Sequence, residues 1–102
     1  MIELIEKLSD EQIRTALVQL NEKLENPWST KDSMLYKRFQ FENFIEAFGF
    51  MTKVALIAQQ QNHHPDLHNS YKVVEYFLST HKCDGISELD FNLAQAIEQL
   101  TK

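Results

Sequence analysis

The sequence predicts an α+β domain with helices on one side of a small, mostly antiparallel sheet. Three observations predict it. Apolar residues recur at helical spacing in three segments, one near each end and one across the middle. Shorter strand-like stretches lie between them, so the order is helix, short strands, long helix, strand, helix. The 102 residues hold only two Gly and two Pro, with no linker, repeat or low-complexity run, so 1–102 reads as a single domain.

Each element has a local reason. The first helix is expected over 10–24. Ser9 is its N-cap, Gln12 completes a capping box, and Leu8 and Ile13 occupy the staple positions. Ile13, Leu17, Leu20 and Leu24 form its stripe, and Asn26-Pro27 is expected to close it. Residues 28–40 read as one or two short strands. Trp28 opens the stretch, Lys31-Asp32-Ser33 forms a turn, and Tyr36 and Phe39 are packing residues.

Residues 41–63 make the longest helix. Phe44, Phe48, Met51, Ala55 and Ala58 form the stripe expected against the sheet. Phe50 and Ile57 lie nearly opposite and call for another partner, such as a second subunit. Pro65 is expected to end this helix. Leu67–Asn69 is a connection or edge strand, and Tyr71–Thr80 is a strand with apolar residues on both faces. After a turn at Asp84-Gly85, Ser87 caps a final helix, with Asp90 at N3 and Ile86 and Phe91 as staple. Leu89, Leu93, Ile97 and Leu100 are its apolar stripe.

Composition excludes several function classes. The net charge of −5 disfavours direct contact with nucleic acid or anionic lipid. The single cysteine, Cys83, excludes an internal disulfide and fits a reducing compartment. No apolar run reaches the length of a membrane span. Met1–Asp10 lacks the pattern of a signal peptide, so a cytoplasmic location is expected.

His63, His64 and His68 fall within six residues, and His81 joins them if the Tyr71–Thr80 strand lies beside the end of the long helix. Imidazole both donates and accepts protons near neutral pH, so such a set suits acid–base chemistry. Gln59 and His63 share a helix edge, whereas His64 points about 100° away. Isolated histidines at helix ends also serve as caps or solvated residues, and His68 reads as surface. A metal site from His63, His64, His68, His81 and Cys83 matches none of the specific zinc spacings. Nothing marks Cys83 as a nucleophile. Asp90 could face the histidines, but its N3 position already gives it a structural role. Trp28, Tyr71 and Phe77 could stack on a flat ligand or fill the core.

Asn62-His63-His64-Pro65 and Ser79-Thr80-His81-Lys82-Cys83-Asp84-Gly85 resemble the pterin-4a-carbinolamine dehydratases, also called dimerization cofactor of a homeodomain transcription factor. The resemblance runs from about Leu8 to Leu100. It includes Phe41-Glu42-Asn43-Phe44, the stretch Ala47-Phe48-Gly49-Phe50-Met51-Thr52-Lys53-Val54-Ala55, then Asn69, Tyr71, Val74, and Asp90 with Ala94. It implies a four-stranded antiparallel sheet with helices against it, assembled as a homodimer or homotetramer. It implies a cytoplasmic hydro-lyase without metal or cofactor. Its reaction dehydrates 4a-hydroxytetrahydrobiopterin, recycling the pterin of aromatic amino acid hydroxylases.

The resemblance also implies catalytic roles for His63, His64 and His81. Substrate contacts map onto these three and onto Pro65, Thr80, Lys82 and Cys83. A homeodomain transcription factor is an implied partner in eukaryotes. The chain departs from the family at Gln59, usually a carboxylate, at Asn62, usually Asp, and at Leu67, usually Trp; Ser70 replaces a hydrophobic residue. An acidic residue at Gln59 would act on His63 across one helical turn, and the loss of Trp alters one wall of the site.

Overall fold

The computed structural model describes residues 5–102. Met1–Leu4, the start of the segment read for a signal peptide, lie outside the described residues. The elements are α1 (Asp10–Asn21), β1 (Ser29–Lys31), β2 (Met34–Gln40), α2 (Phe44–Gln61), β3 (Asp66–Ser70), β4 (Val73–Leu78) and α3 (Glu88–Gln99). The four strands pair antiparallel in the order β1-β2-β4-β3. The expected α+β class and antiparallel sheet are both present. Among the described residues, no helix is long and apolar enough to cross a membrane.

Both capping boxes form. Ser9 Oγ accepts from Gln12 N–H, and Gln12 Oε1 accepts from Ser9 N–H. Ser87 and Asp90 do the same at α3. The helix α1 stops three residues before its expected end. The Asn21 side chain takes the Trp28 N–H at 2.7 Å and donates to the Trp28 carbonyl at 2.9 Å. This double clasp, rather than Pro27, turns the chain and sinks Trp28 into the core.

The β1–β2 turn is tighter than expected. Lys31 pairs with Met34, leaving Asp32 and Ser33 as a two-residue loop with φ of 53° and 63°. Positive φ at both positions gives the primed turn that matches strand twist. Tyr71 is likewise a turn residue, at φ 55°, so β4 begins only at Val73.

One face of the sheet carries Leu35, Phe39, Val74, Tyr76 and Leu78 into a core closed by all three helices. Among the described residues, no helix covers the other face. Tyr36, one of the two expected packing residues, lies there and packs against Phe77, with ring centroids 5.1 Å apart. Its hydroxyl donates to Glu75 at 2.5 Å. That bond holds the Glu75 carboxyl below its ordinary range and raises the Tyr36 phenol. The stability it supplies is present above the unfolded carboxylate value of about 4.3 and is lost as pH falls through the depressed one. Tyr36→Phe should therefore lower stability at neutral pH and narrow the difference from the parent below pH 4, in urea melts across pH.

The largest correction concerns α2. Its buried residues are Ala47, Phe50, Val54 and Ala58, with Met51 and Ile57 partly buried. Phe44, Ile45, Phe48 and Leu56 are exposed, Ile45 at 82% and Leu56 at 69%. The expected faces are thus largely exchanged. The reason is aromatic packing: Phe50 sits 5.0 Å from both Phe39 and Phe41 and 6.2 Å from Tyr76, ring centroid to centroid. The helix also ends before Pro65. Asn62 adopts the left-handed conformation at φ 53°, and the His63 N–H returns to the Ala58 carbonyl. Asn tolerates that conformation and closes the helix by itself.

Candidate active site

The C-terminal end of α2 and the loop after β4 meet the first turn of α3. The reversal at Asn62 brings His63 and His64 off the helix together. Beyond β4, His81–Cys83 form one 3-10 turn, closed by Asp84 in the left-handed conformation and by a bridge between Thr80 and Gly85. A cleft of about 240 Å³ lies between these segments. His63, His64 and His81 all line it, with Thr80 and Lys82. Asn62, Ser79, Ile5 and Leu89 complete the wall. The sequence reading gave none of these four a place in the site, although Asn62 and Ser79 open the two histidine motifs and Leu89 adjoins Asp90.

Asp90 is the centre of the polar network and is fully buried. His63 Nε2 lies 2.5 Å from Asp90 Oδ1. Asp90 Oδ2 accepts from the Ser87 N–H at 2.9 Å and from the Thr80 hydroxyl at 2.8 Å. With its proton given to Asp90, Thr80 Oγ1 accepts from the Ser87 hydroxyl, 2.7 Å away. The cap and the histidine contact are therefore not alternatives. One oxygen caps α3 and the other holds His63. The ring's Nε2–H donates to the carboxylate, which leaves Nδ1 as its proton-accepting nitrogen.

His64 has a different partner. Its Nε2 lies 3.0 Å from Gln59 Oε1, so Gln59 serves His64 and not His63 as expected. His81 is exposed, and its ring makes no protein hydrogen bond among the described residues. Neither Pro65 nor Cys83 lines the cleft. The Cys83 thiol turns back toward the carbonyls of Thr80 and Gly85. His68 lies outside the cleft, paired at 3.5 Å with Glu75 on the uncovered sheet face. Trp28, Tyr71 and Phe77 also lie elsewhere: in the core, in the β3–β4 turn and on the uncovered sheet face.

Fold and cleft together define a three-helix, four-stranded α+β protein with a histidine-lined hollow of small-molecule size. The chain belongs to the pterin-4a-carbinolamine dehydratase family, whose model matches residues 6–100. A protein of Rhizobium johnstonii, provisionally named a pterin-4-alpha-carbinolamine dehydratase, is 42% identical over 93% of this chain and 91% of its own. One of Christiangramia forsetii with the same provisional name is 41% identical over 97% of each chain. The crystal structure of a transcriptional coactivator/pterin dehydratase from Brucella melitensis superposes with a TM-score of 0.84. It is 32% identical, and the match covers 94% of this chain and 99% of that one.

Proposed function

We propose that this protein dehydrates a 4a-hydroxytetrahydropterin to the quinonoid dihydropterin, returning the pterin of aromatic amino acid hydroxylases to its cycle. One observation carries the reading: three histidines line a single small cleft, one of them backed by a buried carboxylate. Membership of the family supports the pterin as substrate.

The reaction needs two proton movements and no oxidant. A proton reaches the 4a oxygen as the C4a–O bond breaks, and that bond's electrons leave with water. A base takes the N5 proton, and the N5–H electrons become the C4a=N5 bond. Hydroxide is a poor leaving group, so the acid contributes most at bond cleavage. His63 and His81 carry these two transfers. Asp90 orients His63 and selects which ring nitrogen carries its proton. His64, held by Gln59, orients the pterin. Lys82 and the backbone around it meet the ring's polar edge, whereas Pro65 and Cys83, the other contacts that the resemblance implies, lie outside the cleft lining. Thr80 acts through Asp90, since its hydroxyl is already committed there. The test is the decay of freshly generated 4a-hydroxytetrahydropterin with and without the protein.

The same reading includes a homo-oligomer in the cytoplasm. Phe44, Ile45, Phe48 and Leu56 give α2 an exposed apolar face that a second copy would cover. Phe48→Asp should shift the sedimenting species toward the monomer without unfolding it, whereas a parent already monomeric at tens of micromolar would contradict the assembly. Binding of a protein partner is a second reading, favoured by the word coactivator in the name of the Brucella relative. A homeodomain transcription factor is the partner it suggests in a eukaryote.

A further inference from the structure

The cleft does not end at His81. Ser79, Thr80 and His81 line a second hollow of about 220 Å³ on the other side of the same loop. Its far wall is the β1–β2 turn, with Asp32, Ser33 and Met34, and its floor is Asp84-Gly85. Both carboxylates are placed by rigid turns. Asp32 and Asp84 each sit at φ 53°, one in the two-residue hairpin loop and the other at the end of the 3-10 turn. The lining of this hollow contains no Lys or Arg.

The inference deepens the dehydratase reading and adds one assignment to it, that of the two transferring histidines His81 serves N5 and His63 the 4a oxygen. In a tetrahydropterin, the substituent-bearing C6 is bonded directly to N5. A histidine that serves N5 therefore stands beside the first atom of the C6 chain. We propose that this second hollow receives the C6 substituent, and that Asp32 and Asp84 make it select a neutral hydroxylated chain over a phosphorylated one. Ser33 and Ser79 offer hydroxyls to such a chain, while both carboxylates repel an added phosphate. Lys7 and Arg14 line a larger hollow that adjoins this one and shares Ser33, Asp84 and Gly85 with it, and the Lys7 side chain packs against Gly85.

Binding of two stable dihydropterins tests this by calorimetry at low ionic strength. The neutral probe is 7,8-dihydroneopterin and the anionic probe is its 3′-monophosphate. The parent should bind the neutral probe about tenfold more tightly, a preference that shrinks in high salt. The double variant Asp32→Asn, Asp84→Asn should reduce the preference to below about threefold. Asn tolerates positive φ nearly as well as Asp, so both turns persist. Equal or tighter binding of the phosphate by the parent overturns the proposal, as does an unchanged preference in the variant. The control is 6-methyl-7,8-dihydropterin, which has almost no chain. If it and both probes fail to bind the parent, the pterin reading itself falls; if it binds while the two probes are not distinguished, only this inference falls.

Discussion

Asp90→Asn should lower kcat for the carbinolamine by about a hundredfold, the scale of one positioned acid–base group. The substitution keeps the size of the side chain. It removes the charge that faces His63 and puts an amide where one acceptor stood. If the new amide turns its NH₂ toward His63, the ring must present a lone pair to it, and the proton moves to the wrong nitrogen. KM should change little, since Asp90 lies behind His63 and is fully buried. Asp90→Ala should damage the fold as well. It strands the Ser87 N–H, the Thr80 hydroxyl and the His63 ring nitrogen, for a net loss of about 3 kcal/mol. In a domain of this size that lowers Tm by roughly 15 °C. Parental kcat in the Asp90→Asn enzyme would show that the carboxylate serves only the helix cap.

The largest effect on stability is expected at the other end of α3. Lys37 and Glu98 form an ion pair beneath the sheet, and both side chains are nearly buried. Glu98 Oε1 also accepts from Trp28 Nε1–H at 2.9 Å. Lys37 lies over the ring of Phe39, 4.8 Å from its centroid. Lys37→Met leaves the Glu98 carboxylate buried with one neutral donor, and should cost about 3–5 kcal/mol in denaturant melts. Adding Glu98→Leu should restore most of that, since two apolar groups then fill the site. The residue of the loss, about 1–2 kcal/mol, is the Trp28 N–H left without its acceptor. A coupling energy near zero in this double-mutant cycle would mean that the pair does not interact in solution.

These two networks mark what was legible in the sequence and what was not. The capping boxes at Ser9 and Ser87 are local, since all their partners lie within three residues, and they form as read. The α+β class and the order of its elements follow from spacing in the same way. The faces of α2 were not legible, because both are apolar and spacing alone does not choose between them. The choice is made by Phe39, Phe41 and Tyr76, which lie on β2, just after it, and on β4.

The candidate site divides along the same line. His63, His64 and His81 were legible as a set, and the fold brings them to one cleft. The sequence raised Asp90 facing the histidines as an alternative to its capping role; that its two oxygens do both at once was not legible, because it depends on where the fold places His63, 27 residues away. The pairing of Gln59 with His64 was hidden for a different reason. It depends on the left-handed turn at Asn62, which swings His64 back over the helix end instead of continuing the wheel.

Dehydration of the pterin carbinolamine in the three-histidine cleft is open to one direct test. The direct measurement follows the absorbance of freshly generated 4a-hydroxytetrahydropterin under conditions where chemistry limits turnover, with the parent protein, His63→Ala and His81→Ala. The parent should accelerate the decay well above the uncatalysed rate, and each substitution should lower kcat by about a hundredfold or more. A parent that leaves the decay unchanged, or two variants that both keep the full rate, would contradict dehydration by this cleft.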